Sequence, residues 1–300
     1  MSTVLVTGAS GFTGRYLVKA LAQRGDQVVG IGRATQTPPE LSRYLALDIN
    51  DAQALQDAVA EIRPDRVVHL AALAFVGHPV PLDFYRVNVL GTQALLDALA
   101  GLDTPPTTLL ASSANVYGAN GRAVIDESVP PAPVNHYACS KLAMEHLART
   151  YRERLPLIIA RPFNYTGPGQ SSDFLIPKIV DHFRRRAESI ELGNLDVSRD
   201  FSDVRDAVDA YLALLDAPLT AEESGLTVNV CRGEAIALRD VLALTSQLAG
   251  YEIEVRVNPA FVRASDIPSL RGDNARLHAL AGDVPRRPLA DTLGDMLEAR

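Results

Sequence analysis

Val4-Leu5-Val6-Thr7-Gly8-Ala9-Ser10-Gly11-Phe12-Thr13-Gly14 is the stretch on which the reading of this chain turns. A short apolar run ends in three glycines, and a helical pattern over 13–24 follows at once. Gly8 permits the tight turn, Gly11 lets the backbone approach a pyrophosphate, and Gly14 lets helix and strand pack closely. The helix N-terminus then offers unpaired N–H groups and the positive end of its dipole to phosphate oxygens. Ser10, Phe12 and Thr13 fill the same loop. Glycine triplets also occur as plain turns, but the strand before this one and the helix after it favour a dinucleotide cradle.

Outward from that loop, apolar runs at 28–31, 44–47, 67–70, 108–111 and 157–160 predict further strands, most of them continuous as in parallel sheets covered on both faces. Helical patterns at 51–62, 83–100 and 135–154 lie between them, with Asp51 placed to cap the first. This alternation predicts an α/β protein with a Rossmann-type doubly wound parallel sheet, and a cofactor-binding domain over 1–161. Past Arg161 the rhythm changes. Proline and glycine cluster over 161–169, then helical patterns appear at 174–186, 204–215 and 238–248 with strands at 227–230 and 252–257. Residues 162–300 are expected to form a smaller mixed α/β substrate-binding portion, with segments returning to the first domain.

Composition narrows the function. Twenty-nine Lys and Arg against 36 Asp and Glu give −7, which argues against a nucleic-acid or membrane-surface binder. Two cysteines, Cys139 and Cys231, form neither a metal-ligand cluster nor a disulfide framework, so no metal is expected and a reducing compartment fits. The apolar start stops at Gly8 and reads as a strand, not a signal peptide, and no window reaches the ~18 apolar residues of a membrane helix. The expectation is a cytoplasmic protein.

The chemistry lies in two later stretches. Tyr137 and Lys141 are four apart on a predicted helix and share one face. A phenol near pKa ~10 is a poor acid at neutral pH; a neighbouring ammonium stabilises its phenolate and an oxidised nicotinamide adds further positive charge, which together are expected to bring Tyr137 toward the working range. Such a spacing also describes a plain surface pair. Upstream stands Ala111-Ser112-Ser113-Ala114-Asn115-Val116-Tyr117-Gly118. This string, the Tyr-x-x-x-Lys after it and the glycine spacing resemble the extended short-chain dehydrogenase/reductase family of sugar-nucleotide epimerases, dehydratases and reductases.

That resemblance implies an enzyme with Ser113, Tyr137 and Lys141 as its catalytic triad and a nicotinamide cofactor. It implies that Asp48 and Ile49 meet the adenine, that Leu70, Ala71 and Ala72 pass under the cofactor, and that Asn88 is the family's asparagine on the helix before the fifth strand. Where an acidic residue would hold the adenosine ribose of NAD, this chain has Arg33. A guanidinium can pair with a 2′-phosphate, so NADP(H) is favoured and NAD(H) stays possible; the alternative is an exposed loop arginine.

Dehydratases of the family carry an acid just after the triad serine, whereas this chain has Ala114 and Asn115, which disfavours elimination. Residues 161–169 resemble the family's substrate loop, with Asn164 facing the sugar diphosphate. Leu192–Phe201 resembles the branch of GDP-mannose dehydratases and GDP-4-keto-6-deoxy-hexose reductases. There Arg199 and Arg263 would grip the diphosphate, Lys178 would approach guanine, and Asp266 would hold the nucleotide ribose. The implied reaction is reduction at C4 of a GDP-4-keto-6-deoxy-hexose, giving GDP-D-rhamnose or GDP-6-deoxy-D-talose. An NAD-dependent 4-epimerase, a 4,6-dehydratase and a non-catalytic dinucleotide sensor are the other readings. The family also implies a homodimer through the helices at 83–100 and 135–154.

Overall fold

A computed structural model of the protein describes residues 1–262 and 269–299. The chain runs β1 (Thr3–Thr7), α1 (Phe12–Gln23), β2 (Gln27–Gly32), β3 (Arg43–Ala46), α2 (Ala52–Ile62), β4 (Arg66–His69), α3 (Pro81–Tyr85), a π-helical turn (Arg86–Gly91), α4 (Thr92–Ala100), β5 (Thr107–Ala111), α5 (His136–Arg149) and β6 (Leu157–Pro162). Then come β7 (Asn164–Thr166), α6 (Leu175–Arg184), β8 (Ser189–Leu192), β9 (Ser198–Asp203), α7 (Val204–Asp216), β10 (Leu226–Val230), β11 (Ala235–Ala237), α8 (Leu238–Ala249), β12 (Glu254–Val257), β13 (Ser269–Leu270), α9 (Ala275–Ala281) and α10 (Leu289–Glu298).

Seven parallel strands form the central sheet in the order β10-β6-β5-β4-β1-β2-β3. Its faces follow from the period of two. Val4 and Val6 pack under α1 and α7, while Leu5 faces the opposite layer of α2, α4 and α5. Both faces are covered, which is why these strands read as unbroken apolar runs. The strand order reverses at β1, between β2 and β4, so the glycine turn after β1 opens into the crevice where such sheets bind ligands.

Asp51 caps α2 as its side chain accepts from the Ala54 N–H at 3.1 Å, and Asn135 caps α5 in the same way from Ala138 at 2.9 Å. The helix expected over 83–100 is helical throughout, but not α-helical throughout. The π-helical turn separates α3 from α4, and the Thr92 hydroxyl satisfies the Asn88 carbonyl inside it at 2.8 Å.

Past β6, the strand β9 is the hub. It pairs with β11, β13 and β7, while β8 and β12 form a separate parallel pair. A third core cluster packs α6, α8 and α10 beneath them. The strands β7, β8, β9, β11 and β13 and the helices α9 and α10 go beyond the elements expected from sequence. Among the described residues no helix is long and apolar enough to cross a membrane.

Candidate active site

The turn after β1 needs its glycines. Gly8 sits at φ +73°, and a Cβ there would lie 2.8 Å from the Ala71 nitrogen. A Cβ on Gly14 would come within 2.2 Å of the Gly8 carbonyl. Gly11 caps α1 with no side chain over its amides, so the helix N-terminus stays open to an anion. Ser10, Phe12 and Thr13 border that end. Leu70, Ala71 and Ala72 run past it, with the Ala71 N–H bonded to Thr7 Oγ1 at 3.2 Å. A narrow, glycine-lined, amide-rich crevice of this kind fits a dinucleotide.

At its far side Arg33 is exposed and 3.8 Å from the Asp48 carboxylate. Hydrogen bonds from Asn50, helped by Arg33, hold the Asp48 carboxyl below its ordinary range. Ile49 is buried beneath Gly91, where a Cβ would approach its side chain to 2.6 Å.

Ser113, Tyr137 and Lys141 are all buried at the C-terminal edge of the sheet. Ser113 follows β5 and caps the short 3₁₀ turn Ala114–Tyr117. Burial pushes the Tyr137 phenol up to about 12, and a hydrogen bond from Ser113 works against the rise. Lys141 donates to the Ala111 carbonyl at 2.8 Å; desolvation lowers it to about 8, opposed by the negative charge of Glu145. The lowering expected of Tyr137 counts an oxidised nicotinamide beside Lys141; in the polypeptide by itself the balance differs. Burial dominates, and the ammonium is drawn toward β5.

Beneath them lies a chain of buried polar groups. His69 bonds Thr7 Oγ1 through Nδ1 at 2.7 Å and Thr92 Oγ1 through Nε2 at 2.8 Å. Burial, aided by Lys141, lowers its pKa to about 3 and keeps it neutral. Asn88 accepts from the Leu73 N–H at 2.8 Å and donates to Leu73 O and Ser140 Oγ, tying the loop after β4 to α5.

Sequence reasoning missed Glu145 and Arg161. Glu145 is fully buried one turn beyond Lys141 and accepts from Ser112 Oγ at 2.5 Å. Arg161 grips it bidentately at 2.8 and 2.6 Å and also lies 4.6 Å over the Tyr117 ring. One carboxylate therefore joins the end of β5, the triad face of α5 and the end of β6. The signal was present as a third member of the Tyr137–Lys141 spacing, four residues further on.

On the substrate side, Asn164 is exposed on β7, whose partner β9 carries Arg199. Arg199 donates to Ser198 O at 2.8 Å. Lys178 lies apart from the triad, with Nζ bonded to Glu191 O at 2.8 Å and 4.7 Å over the Phe261 ring. Arg263 and Asp266 lie outside the described residues. The β9 hub is held by Asp200, buried, which accepts from the Arg232, Gly233 and Gly272 amides. Cys139 and Cys231 are both free.

A doubly wound sheet, a glycine turn open at its switch point and a Ser–Tyr–Lys cluster beside it define an extended short-chain dehydrogenase/reductase. Residues 4–231 match the profile of the NAD dependent epimerase/dehydratase family, and the chain belongs to that family of enzymes. It is 35% identical over 281 residues to GDP-6-deoxy-D-talose 4-dehydrogenase of Aggregatibacter actinomycetemcomitans, covering 93% of this chain and 91% of that one. It is 36% identical over 309 residues to GDP-6-deoxy-D-mannose reductase of Pseudomonas aeruginosa, covering 98% and 95%. Among solved structures, RMD from Pseudomonas aeruginosa complexed with NADPH superposes with a TM-score of 0.84 at 33% identity, over 99% of this chain and 96% of that one.

Proposed function

We propose that the protein reduces the C4 ketone of a GDP-4-keto-6-deoxy-hexose with NAD(P)H. The product would be GDP-D-rhamnose or its C4 epimer GDP-6-deoxy-D-talose. The observation that carries this reading is the buried Ser113–Tyr137–Lys141 cluster at the mouth of the dinucleotide crevice, with Ala114 and Asn115 where elimination needs a carboxyl. The likeness to two GDP-6-deoxy-sugar oxidoreductases supports the nucleotide and the ketone.

When bound, the nicotinamide supplies the hydride that reaches C4. Tyr137, protonated at neutral pH because burial holds its pKa near 12, hands its proton to the ketone oxygen. Ser113 donates to the same oxygen and steadies the charge that grows there. Lys141, cationic below about pH 8, favours the phenolate that Tyr137 leaves behind. Arg33 would pair with a 2′-phosphate, which favours NADPH over NADH. Arg199 and Arg263 would grip the diphosphate with Asn164 facing it, Lys178 would approach guanine, and Asp266 would hold the nucleotide ribose. We extend the reading to a homodimer through α4 and α5, supported by Leu90 standing 55% exposed beside α4.

The test is oxidation of NADPH by GDP-4-keto-6-deoxy-D-mannose, with the product sugar identified by NMR. Turnover yielding a 6-deoxyhexose is expected. No oxidation with GDP-, UDP- or dTDP-linked 4-keto-6-deoxy sugars would remove the proposal, and interconversion of an unmodified hexose without net redox would replace it with a 4-epimerase.

A further inference from the structure

The cofactor crevice and the substrate strand are separated by a single layer of side chains. Tyr165, next to Asn164 on β7, places its hydroxyl 2.9 Å from Thr13 Oγ1 in the first turn of α1. Its ring stacks on Phe12, the neighbouring residue, with planes 11° apart and centroids 6.2 Å apart. Phe12 in turn meets Tyr16 edge-on at 5.7 Å. One helical turn along, the Tyr16 hydroxyl donates to the Pro168 carbonyl at 2.7 Å. Between these contacts Gly167 leaves no spare volume, since a Cβ there would strike Val204 at 2.7 Å and come within 3.7 Å of Phe12.

The phosphate-binding end of α1 and the segment 164–168 therefore form one packed unit with two working ends. One end is the uncapped N-terminus of α1, to which Thr13 belongs. The other is Asn164, whose strand pairs with the strand bearing Arg199. We propose that Tyr165 is a positioning residue that links dinucleotide binding at α1 to nucleotide binding at β7, so that filling either site strengthens the other. This rests on the cofactor and substrate placement of the preceding section.

The coupling is one of ordering. Phosphates held on the α1 amides restrict Thr13 and Phe12. Through the hydroxyl contact and the stack they restrict Tyr165 and with it Asn164. A second ligand then meets a strand already ordered and loses less conformational freedom on binding. Linkage makes the effect reciprocal, and couplings of this kind are about fivefold or more in affinity. Tyr165→Phe removes the hydroxyl contact to Thr13 and keeps the stack; Tyr16→Phe removes the bond to Pro168.

The experiment is isothermal titration of NADPH into the full chain with and without saturating GDP, repeated on Tyr165→Phe and Tyr16→Phe after their melting temperatures are matched to the parent. The parent should bind NADPH at least about fivefold more tightly when GDP is present. In Tyr165→Phe the gain should fall below about twofold while the affinity for NADPH alone changes little. A parent that binds both ligands independently, or a Tyr165→Phe variant that keeps the full gain, overturns the inference and leaves the proposed reaction standing. If GDP is not bound, the proposed nucleotide is wrong, and the same titration with UDP or dTDP decides the coupling. Binding of none of the three overturns both.

Discussion

The two halves of the site are held in place by different means. Beside the sheet, the polar side chains are buried and bonded to one another: His69, Asn88, Glu145 and Arg161 are all 3% exposed or less. Around β7 to β9, Asn164 is exposed and Lys178 and Arg199 are half-buried, and the backbone of β9 is fixed from below by Asp200. The first half sets the group proposed to react among side chains that fix one another's positions. The second presents half-buried cations resting on backbone carbonyls, Lys178 on that of Glu191 and Arg199 on that of Ser198.

That contrast can be broken most decisively at Tyr137. Tyr137→Phe should lower kcat by about a thousandfold or more, since it removes the proton donor, yet leave NADPH affinity within a few-fold by titration. Comparable turnover in the variant would mean that the acid lies elsewhere. Next comes Glu145→Gln, which strands a buried guanidinium and should cost about 3–5 kcal/mol of stability, measured by urea unfolding. Glu145→Gln with Arg161→Met removes both charges and should recover most of that loss; equal instability of the two would show that the ion pair is not what holds the three elements together.

A smaller effect is expected at the adenosine end. Arg33→Ala should weaken NADPH about tenfold with little change for NADH, by loss of a charge-assisted contact. Equal affinities for the two cofactors before and after would make Arg33 a surface partner of Asp48 and nothing more.

The smallest is a pH slope. His69 has its pKa lowered from 6.5 to about 3 by burial. The unfolded chain takes up a proton there that the folded chain refuses. The stability linked to His69 is therefore present above pH 6.5 and is lost as pH falls toward 3. His69→Asn should flatten part of that acid slope in denaturation curves taken across the range, and an unchanged slope would place the sensitivity in the carboxylates.

The sheet was legible because its strands are apolar throughout. Val4–Val6 and Leu157–Ala160 bury both faces, so no register or partner had to be known to recognise them. The glycine turn was legible for a related reason, as the positive φ of Gly8 and the approach of Gly14 to the Gly8 carbonyl are both local in sequence. The strand Ser198–Asp203 was not. Five of its six residues are polar or charged, and it is a strand because β7, β11 and β13 close around it from distant parts of the chain. The π-helical turn at Asn88 was hidden too, since its sequence has an ordinary helical period. Tyr137 and Lys141 could be placed on one face, but the opposing pull of desolvation on the tyrosine could not be read. It depends on burial, which only packing reveals.

The last strand to join the sheet, β10, arrives more than sixty residues after its neighbour β6, once β7 through α7 have been laid down. During synthesis β6 consequently waits with an open hydrogen-bonding edge, a surface prone to mispair with other chains. A fragment cut at residue 161 would keep that edge permanently bare. It would also lose α7, whose Val208 and Tyr211 close one of the sheet's two faces. Residues 1–161 therefore do not hold a complete sheet by themselves, and residues up to Val230, about half of 162–300, must leave the ribosome before α7 and β10 can close it.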